Sequence, residues 1–446
     1  MDFSRRFFMS AAAPLAAIGA AAGTSAPAAA AQAFISATDL GLKPDGKGDQ
    51  SAALRKAIAK AAERGVPLLL PGGRYQVSDI RIDRPVVILG IAGQTMLVTT
   101  KNTGIFVIET GLAALEGVGF SGSDKTFGRD EALVSARNCA SLSISRCDFR
   151  DFAGSGLKLS QCAGRVEQNR VAEIGKTGIF ALDSVGLEIS ANHVSDIGNN
   201  GIQVWTSERR PDGTIVTGNR IERVRFDDGG SGQNGNGIVV FRAGNVLVSH
   251  NRVSDCGYSA IRNNSGRNSQ IVNNSCSRLG ETAIYVEFAF DGAVVSGNIV
   301  ETAAAGISIT NFDEGGRLAV CANNVVRDIT GGGSNPEKRG TGIGAEADTI
   351  VTSNVIEAVS DIGISAGWGA YARNIMVTGN LLRQCPLAIA ASVSQGAGPI
   401  SITGNMIAQS RKAIIGMNYR DEATLELAGS NGTIPENLTV SGNNVN

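Results

Sequence analysis

Val248-Ser249-His250-Asn251-Arg252-Val253, Ile271-Val272-Asn273-Asn274-Ser275-Cys276 and Val295-Ser296-Gly297-Asn298-Ile299-Val300 are three copies of one pattern. An Ile or Val stands three residues before an Asn, and an apolar residue follows two after it. Working outward, the pattern recurs from Leu142 to Val445. The Asn positions read as Asn169, Asn192, Asn219, Asn251, Asn274, Asn298, Asn323, Asn354, Asn380, Asn405 and Asn443, and Cys147 takes the slot in an earlier copy. Most copies follow one another at about 25 residues, as repeat architectures do. A second signature, Gly or Ala followed by Ile or Leu, comes shortly after most of the Asn positions, as in Gly201-Ile202, Ala283-Ile284 and Gly306-Ile307.

Alternating buried and exposed positions mark strands. Two such strands in a repeat of this length leave room for a third strand and its turns. A leucine-rich repeat has a similar length but needs a run of leucines that is absent. The pattern predicts an all-β, three-sided parallel β-helix of 12 or more coils, stacked at about 4.8 Å. Equivalent residues then form ladders, with Ile or Val inside and Asn at one corner. A corner Asn can bond turn backbone and the next Asn, and it tolerates left-handed backbone. The Asn series therefore reads as structural.

The amino-terminal third adds specific motifs. Asp39-Leu40-Gly41 precedes Asp45-Gly46 and Asp49-Gln50-Ser51-Ala52-Ala53-Leu54, and Pro71-Gly72-Gly73-Arg74-Tyr75 follows. With the repeat, these motifs make the chain resemble the right-handed parallel β-helix group that includes pectate lyases and related polysaccharide enzymes. With Arg5-Arg6, the chain is also similar to a family described only as twin-arginine-translocated repeat proteins. The resemblance covers nearly the full length and implies fold and export rather than a reaction. Ser51 to Arg64 reads as an amphipathic helix with Leu54, Ala57, Ile58 and Ala61 on its apolar face. Asp49 or Ser51 can cap its start and Gly65 its end. Within 34–75, the motif and this helix are expected to cover the open end of the solenoid, where bare strand edges invite aggregation.

Residues 1–33 read as an export signal. Ser4-Arg5-Arg6-Phe7 precedes a weakly apolar Ala/Gly-rich stretch, and Ala31-Gln32-Ala33 offers a cleavage pattern. Paired arginines before such a stretch point to the twin-arginine translocase as a partner. The mature chain, 34–446, is then one periplasmic or secreted domain. No segment suffices for a stable membrane span. A net charge of −1 and 5% aromatics argue against nucleic acid as a partner, which needs a basic surface or stacking platform. The seven cysteines are odd in number and show no CxxC spacing, so they read as buried thiols.

Several tempting motifs carry nothing. Gly41 to Lys47 matches GxxxxGK, but Gly48 stands where Ser or Thr should bind magnesium. His193 and His250, the two histidines, sit beside corner asparagines, so a Ser-His-Asp triad has no support. Asp227-Asp228 resembles the paired acids of polygalacturonase-like hydrolases, but the accompanying Ser-His-Gly and Arg-x-Lys elements are missing. Asp-Pro-His, typical of alginate epimerases, is absent. No cofactor is specified. A sparse calcium site built from several coils is compatible with the fold but leaves no sequence signature.

The alternation after each Gly/Ala-Ile places one outward stripe along the solenoid. It contains Gln203 and Trp205, Val239 and Phe241, Arg262 and Asn264, Tyr285 and Glu287, Ser308 and Thr310, then Gly344 and Glu346. Arg242, Asn311 and Trp368 lie just beyond strand ends. Two insertions, between Asn219 and Gly237 and between Asn323 and Gly342, leave the same corner four coils apart. They would wall a cleft with Arg262, Tyr285 and Glu287 on its floor. Aromatic, guanidinium and carboxylate groups in one row suit a sugar polymer. Trp205, Arg242, Asn264, Asn311 and Trp368 are then the substrate-binding candidates. In a lyase, Tyr285 or Arg262 would be the base. In a hydrolase, Glu287 and Glu346, two coils apart, would be the acid/base pair. Two readings result: a carbohydrate-active lyase or hydrolase, or a non-catalytic cell-envelope binding or scaffold protein using the same face.

Overall fold

In the computed structural model the described residues are 34–99, 101, 103–122, 131–311, 314–429 and 433–446. The expected signal segment, 1–33, lies outside them. The described chain winds into a parallel β-solenoid of about 13 turns. Three short strands per turn stack on the equivalent strands of the turns before and after. One series is Ser155–Ser160, Thr177–Leu182 and Asn200–Pro211; it forms the face that carries the predicted stripe, called here the stripe face. The other two are represented by Gly164–Glu167 on Leu187–Ser190 and by Arg170–Ile174 on His193–Ile197. An antiparallel pair occurs where Met417–Asn418 meets Asp421–Glu422.

The core follows from the alternation. Ile179, Ile202, Ile238, Ile261, Ile284 and Ile307 point inward and are essentially unexposed. Near the amino-terminal end Phe120 and Phe149 occupy paired positions and stack with centroids 5.0 Å apart. The helix Ser51–Arg64 buries Leu54, Ala57, Ile58 and Ala61 against the first strands of the solenoid. Asp49 Oδ1 accepts the Ser51 backbone N–H at 2.8 Å, and Gly65 closes the helix with φ 62°. Asp45, from the amino-terminal motif, accepts the Arg74 N–H at 2.9 Å.

The Asn ladder runs along one corner. Asn169 Nδ2 donates to Asn192 Oδ1, Asn192 to Asn219, Asn219 to Asn251, Asn251 to Asn274 and Asn274 to Asn298, each at 3.0 Å. The next member is Asn324, not Asn323. The sequence pattern chose the neighbour because Val320 and Val325 flank Asn323 at the right spacing. Both valines are exposed, whereas Cys321 and Val326 are buried. Asn323 instead has φ 58°, and the same holds along the ladder. The residue before each rung is left-handed: Arg146, Gln168, Ala191, Gly218, His250, Asn273, Gly297, Asn323, Ser353, Gly379, Gly404 and Gly442. The left-handed corner thus belongs to the residue before the ladder Asn, and the Asn itself supplies the side-chain bonds.

Candidate functional site

The outward stripe pairs as the alternation requires. Arg262 sits in register with Tyr285, and Asn264 with Glu287; Gln203 pairs with Val239 and Trp205 with Phe241. Both insertions leave the same corner, but they do not flank an open floor at Arg262. The loop 225–235 bends forward until Gly232 O accepts from Arg262 Nη1 at 2.7 Å. The loop 330–341 reaches back, so that Asn335 Nδ2 donates to Glu281 Oε1 at 3.1 Å and Lys338 Nζ lies 3.4 Å from the Tyr285 hydroxyl.

A buried charge cluster results beneath the two loops. Arg262 grips Glu287 bidentately, at 2.7 Å through Nε and 3.0 Å through Nη2, and its Nη1 is 3.4 Å from Glu281. Asn264 donates to the same Glu287 carboxylate at 3.0 Å. Glu287 is 1% exposed. Burial pushes its carboxyl above the usual range, against the pull of Arg262. Burial would lower the Arg262 guanidinium, but Glu287 and Glu281 outweigh it and hold it firmly charged. Arg262 is therefore committed to two carboxylates that balance its charge. Glu287 does not face solvent.

The open groove lies further along the stripe face. A cavity of about 470 Å³ runs from Tyr285 past Ser308, Gly344, Ser365 and Ala390 to Tyr419. Its floor is made of small side chains in register: Ser308 on Gly344, Gly344 on Ser365, Ser365 on Ala390. Such a floor leaves room for a ligand at the very strand positions that elsewhere carry Arg or Phe. One wall is Lys338 and Arg339, the latter paired with Asp361 at 2.9 Å. Trp368, Tyr371, Tyr419 and Arg420 also line the cavity. Trp368 packs edge-on to Tyr419 with centroids 5.6 Å apart, and all three rings are more than a third exposed.

Among the sequence candidates, Tyr285, Glu346 and Trp368 line this groove. Glu346 accepts the Asn311 backbone N–H at 2.8 Å. Asn311 itself is buried. Trp205 lies elsewhere on the same face, between Phe180 at 5.3 Å and Phe241 at 5.4 Å. Arg242 covers Phe241 at 4.7 Å and donates to Ser207 O at 3.0 Å. Asn264 serves the buried cluster. His193 meets Glu222 at 3.1 Å, Asp227 pairs with Arg225, and Asp228 pairs with Lys176.

Glu281, Lys338, Arg339, Tyr371 and Tyr419 were missed as site residues. The stripe rule covers strand interiors, and these residues stand at corners or in the insertion. The charged run Pro336-Glu337-Lys338-Arg339 was the available signal. Among the described residues no group of three or more His, Cys, Asp or Glu side chains gathers as a metal site, and no helix is long and apolar enough to cross a membrane.

No curated protein matches the chain in sequence. Among solved structures, the catalytic unit of an α-1,3-glucanase from Streptomyces thermodiastaticus aligns with TM-score 0.50 and 17% identity, covering 96% of this chain and 70% of that one. Gene product 12 of bacteriophage phi29 aligns with TM-score 0.56 and 15% identity, covering 90% of this chain and 58% of that one. At such identities the likeness is one of fold. A rhamnogalacturonase A/epimerase, pectate-lyase-like model matches residues 34–138, the part that holds the amino-terminal motif. The right handed beta helix region model matches 93–221 and 208–320, together more than half of the chain, and the protein belongs to that right-handed β-helix family.

Proposed function

We propose that the protein binds and processes a polysaccharide, laid along the solenoid axis in the groove between the loop 330–341 and Trp368. The observation that carries this reading is the groove itself. A floor of Ser308, Gly344, Ser365 and Ala390 is flanked by three exposed rings and by groups of both charges. Rings of this kind stack on sugar faces while charged and hydroxyl groups fix orientation. The pectate-lyase-like match agrees with such a ligand. The test is gel retardation of the purified protein by a panel of uronate-containing and neutral polysaccharides, with calcium and with chelator. Retardation by at least one polymer is expected. Mobility unchanged across the whole panel would overturn the proposal.

The alternative is a non-catalytic envelope binding or scaffold protein. It is favoured by the way Arg262 and Glu287 are committed to each other. A retarded polymer whose length never changes on prolonged incubation would select it. We place the protein in the periplasm or outside the cell, delivered by the twin-arginine translocase, on the strength of Ser4-Arg5-Arg6-Phe7 and Ala31-Gln32-Ala33. Replacing Arg5 and Arg6 by Lys should hold the precursor in the cytoplasm; undiminished export would refute this route.

A further inference from the structure

The groove end nearest the loop contact holds a pair that the strand pattern does not predict. Lys338 comes from the insertion and Tyr285 from the strand Ser275–Glu287. The Lys338 Nζ is 3.4 Å from the Tyr285 hydroxyl and 4.5 Å from its ring centre. Both line the cavity, and the Lys338 side chain is only 19% exposed. Behind them Glu281 is fully buried, 3.9 Å from the ammonium.

We infer that Lys338 and Tyr285 form a proton-transfer pair that cleaves a uronate-containing polymer by β-elimination. The inference rests on the groove being the polymer site. Neutral Lys338 takes the proton from carbon five of the uronate, next to the carboxylate. The C–H electron pair becomes the double bond between carbons four and five. The bond from carbon four to the glycosidic oxygen breaks, and that oxygen takes the proton of the Tyr285 hydroxyl. Lys338, now an ammonium, returns its proton to the Tyr285 oxygen. Two chain fragments leave, no water is consumed, and both residues regain their starting state. Arg420, further along the groove, supplies positive charge toward a polyanion.

The surroundings suit these roles. Burial pulls the Lys338 ammonium below the ordinary lysine range, against Glu281 and Glu287 and assisted by Arg262, with Glu337 opposing from the loop. Burial and the carboxylates of Glu287 and Glu281 push the Tyr285 hydroxyl far up, so it stays protonated and ready to donate. The two groups touch each other, so proton removal and proton delivery occur on one face of the sugar. This geometry fits gluco- and manno-configured uronates, in which the hydrogen on carbon five and the oxygen on carbon four are cis. Galacturonate and guluronate place them trans.

The test uses the full mature chain with glucuronan, polymannuronate, polygalacturonate and polyguluronate. Ultraviolet absorbance of the unsaturated product gives the rate, and gel retardation gives binding. Product is expected from glucuronan or polymannuronate, with a rate that rises with pH as Lys338 loses its proton. Lys338→Met and Tyr285→Phe should each slow turnover by about 10²–10⁴-fold with retardation retained. Should Lys338→Met fail to fold over Glu281, Lys338→Arg keeps the charge and should be equally slow. Wild-type rates in Lys338→Arg, or a preference for galacturonate or guluronate, would overturn the inference. A polymer that binds without yielding product would sink the proton-transfer pair and leave the groove reading standing. Binding of none of the four, or of any wider panel, would remove both.

Discussion

Asn298 donates through Nδ2 to Asn324 Oδ1 at 3.0 Å, although Asn323 is the residue that the repeat pattern selects. Asn298 also donates to Ile271 O at 2.9 Å and accepts from the Asn274 backbone at 2.9 Å. It is wholly buried. Asn298→Ala and Asn324→Ala should therefore each cost about 1–3 kcal/mol by leaving buried backbone groups unpaired. Asn311 cannot serve as the surface control, because it is buried. Asn444→Ala, on an exposed side chain, should stay within about ±0.5 kcal/mol. Denaturant midpoints compare the three, and equal losses would refute the ladder as the source of stability.

Arg262→Ala is expected to act on folding more than on binding. It would strand Glu287, 1% exposed, without its cation, at about 3–5 kcal/mol for a broken buried pair. Adding Glu287→Gln should recover part of that loss. The sign with pH follows from burial. The folded-state pKa of Glu287 is raised, so the native state holds its proton more tightly than the unfolded chain does. Its contribution to stability therefore declines as pH climbs from the unfolded carboxyl value, about 4.3, toward the folded one. In Arg262→Ala the decline should steepen, which thermal melts across that range would register. A flat difference between variant and wild type would contradict the pairing.

Gly344 offers a way to block the groove without disturbing the coil. A Cβ placed there meets only Ser308 Oγ, at 3.9 Å, so a larger side chain would project into the open space. Gly344→Val should fold with wild-type circular dichroism and lose most polymer retardation. Retardation equal to wild type would show that the polymer lies on another face.

All seven cysteines are buried free thiols. Burial pushes Cys147 up to about 12 and Cys162 and Cys385 up to about 11. Thiolate is the reactive form, so the folded protein should resist a disulfide-exchange reagent at neutral pH and release seven equivalents only on unfolding. Rapid labelling of the native state would contradict this packing.

The sequence yields the fold because burial in a solenoid repeats coil after coil: Ile202, Ile238, Ile261 and Ile284 repeat one requirement, and the ladder asparagines another. The slip to Asn323 shows the limit of that rule. Asn323 has Val320 three residues before it and meets the Ile/Val rule, whereas Asn324 has Cys321 there, and only the burial of Cys321 and Val326 decides for Asn324. The stripe was legible to the extent that alternation governs it, so Arg262, Tyr285, Glu287 and Glu346 all point outward. Outward did not mean open. Where Lys338 comes to rest depends on how a glycine-rich insertion folds back over earlier coils, and no periodicity encodes that. The groove was hard to see for the opposite reason: Ser308, Gly344 and Ser365 matter by being small.

The backward reach of the loop 330–341 has a mechanical consequence. A stack of coils normally holds together through contacts between neighbours alone, so it can open at any junction. Here Ser334 N–H donates to Gly280 O, and Lys338 and Asn335 grasp Tyr285 and Glu281, in a coil that Ser308 and its strand separate from Gly344. Gly232, from the other side, holds Arg262. The coils between these clasps are stapled across more than one junction, so this stretch should fray and exchange as one cooperative block while the ends of the solenoid open coil by coil.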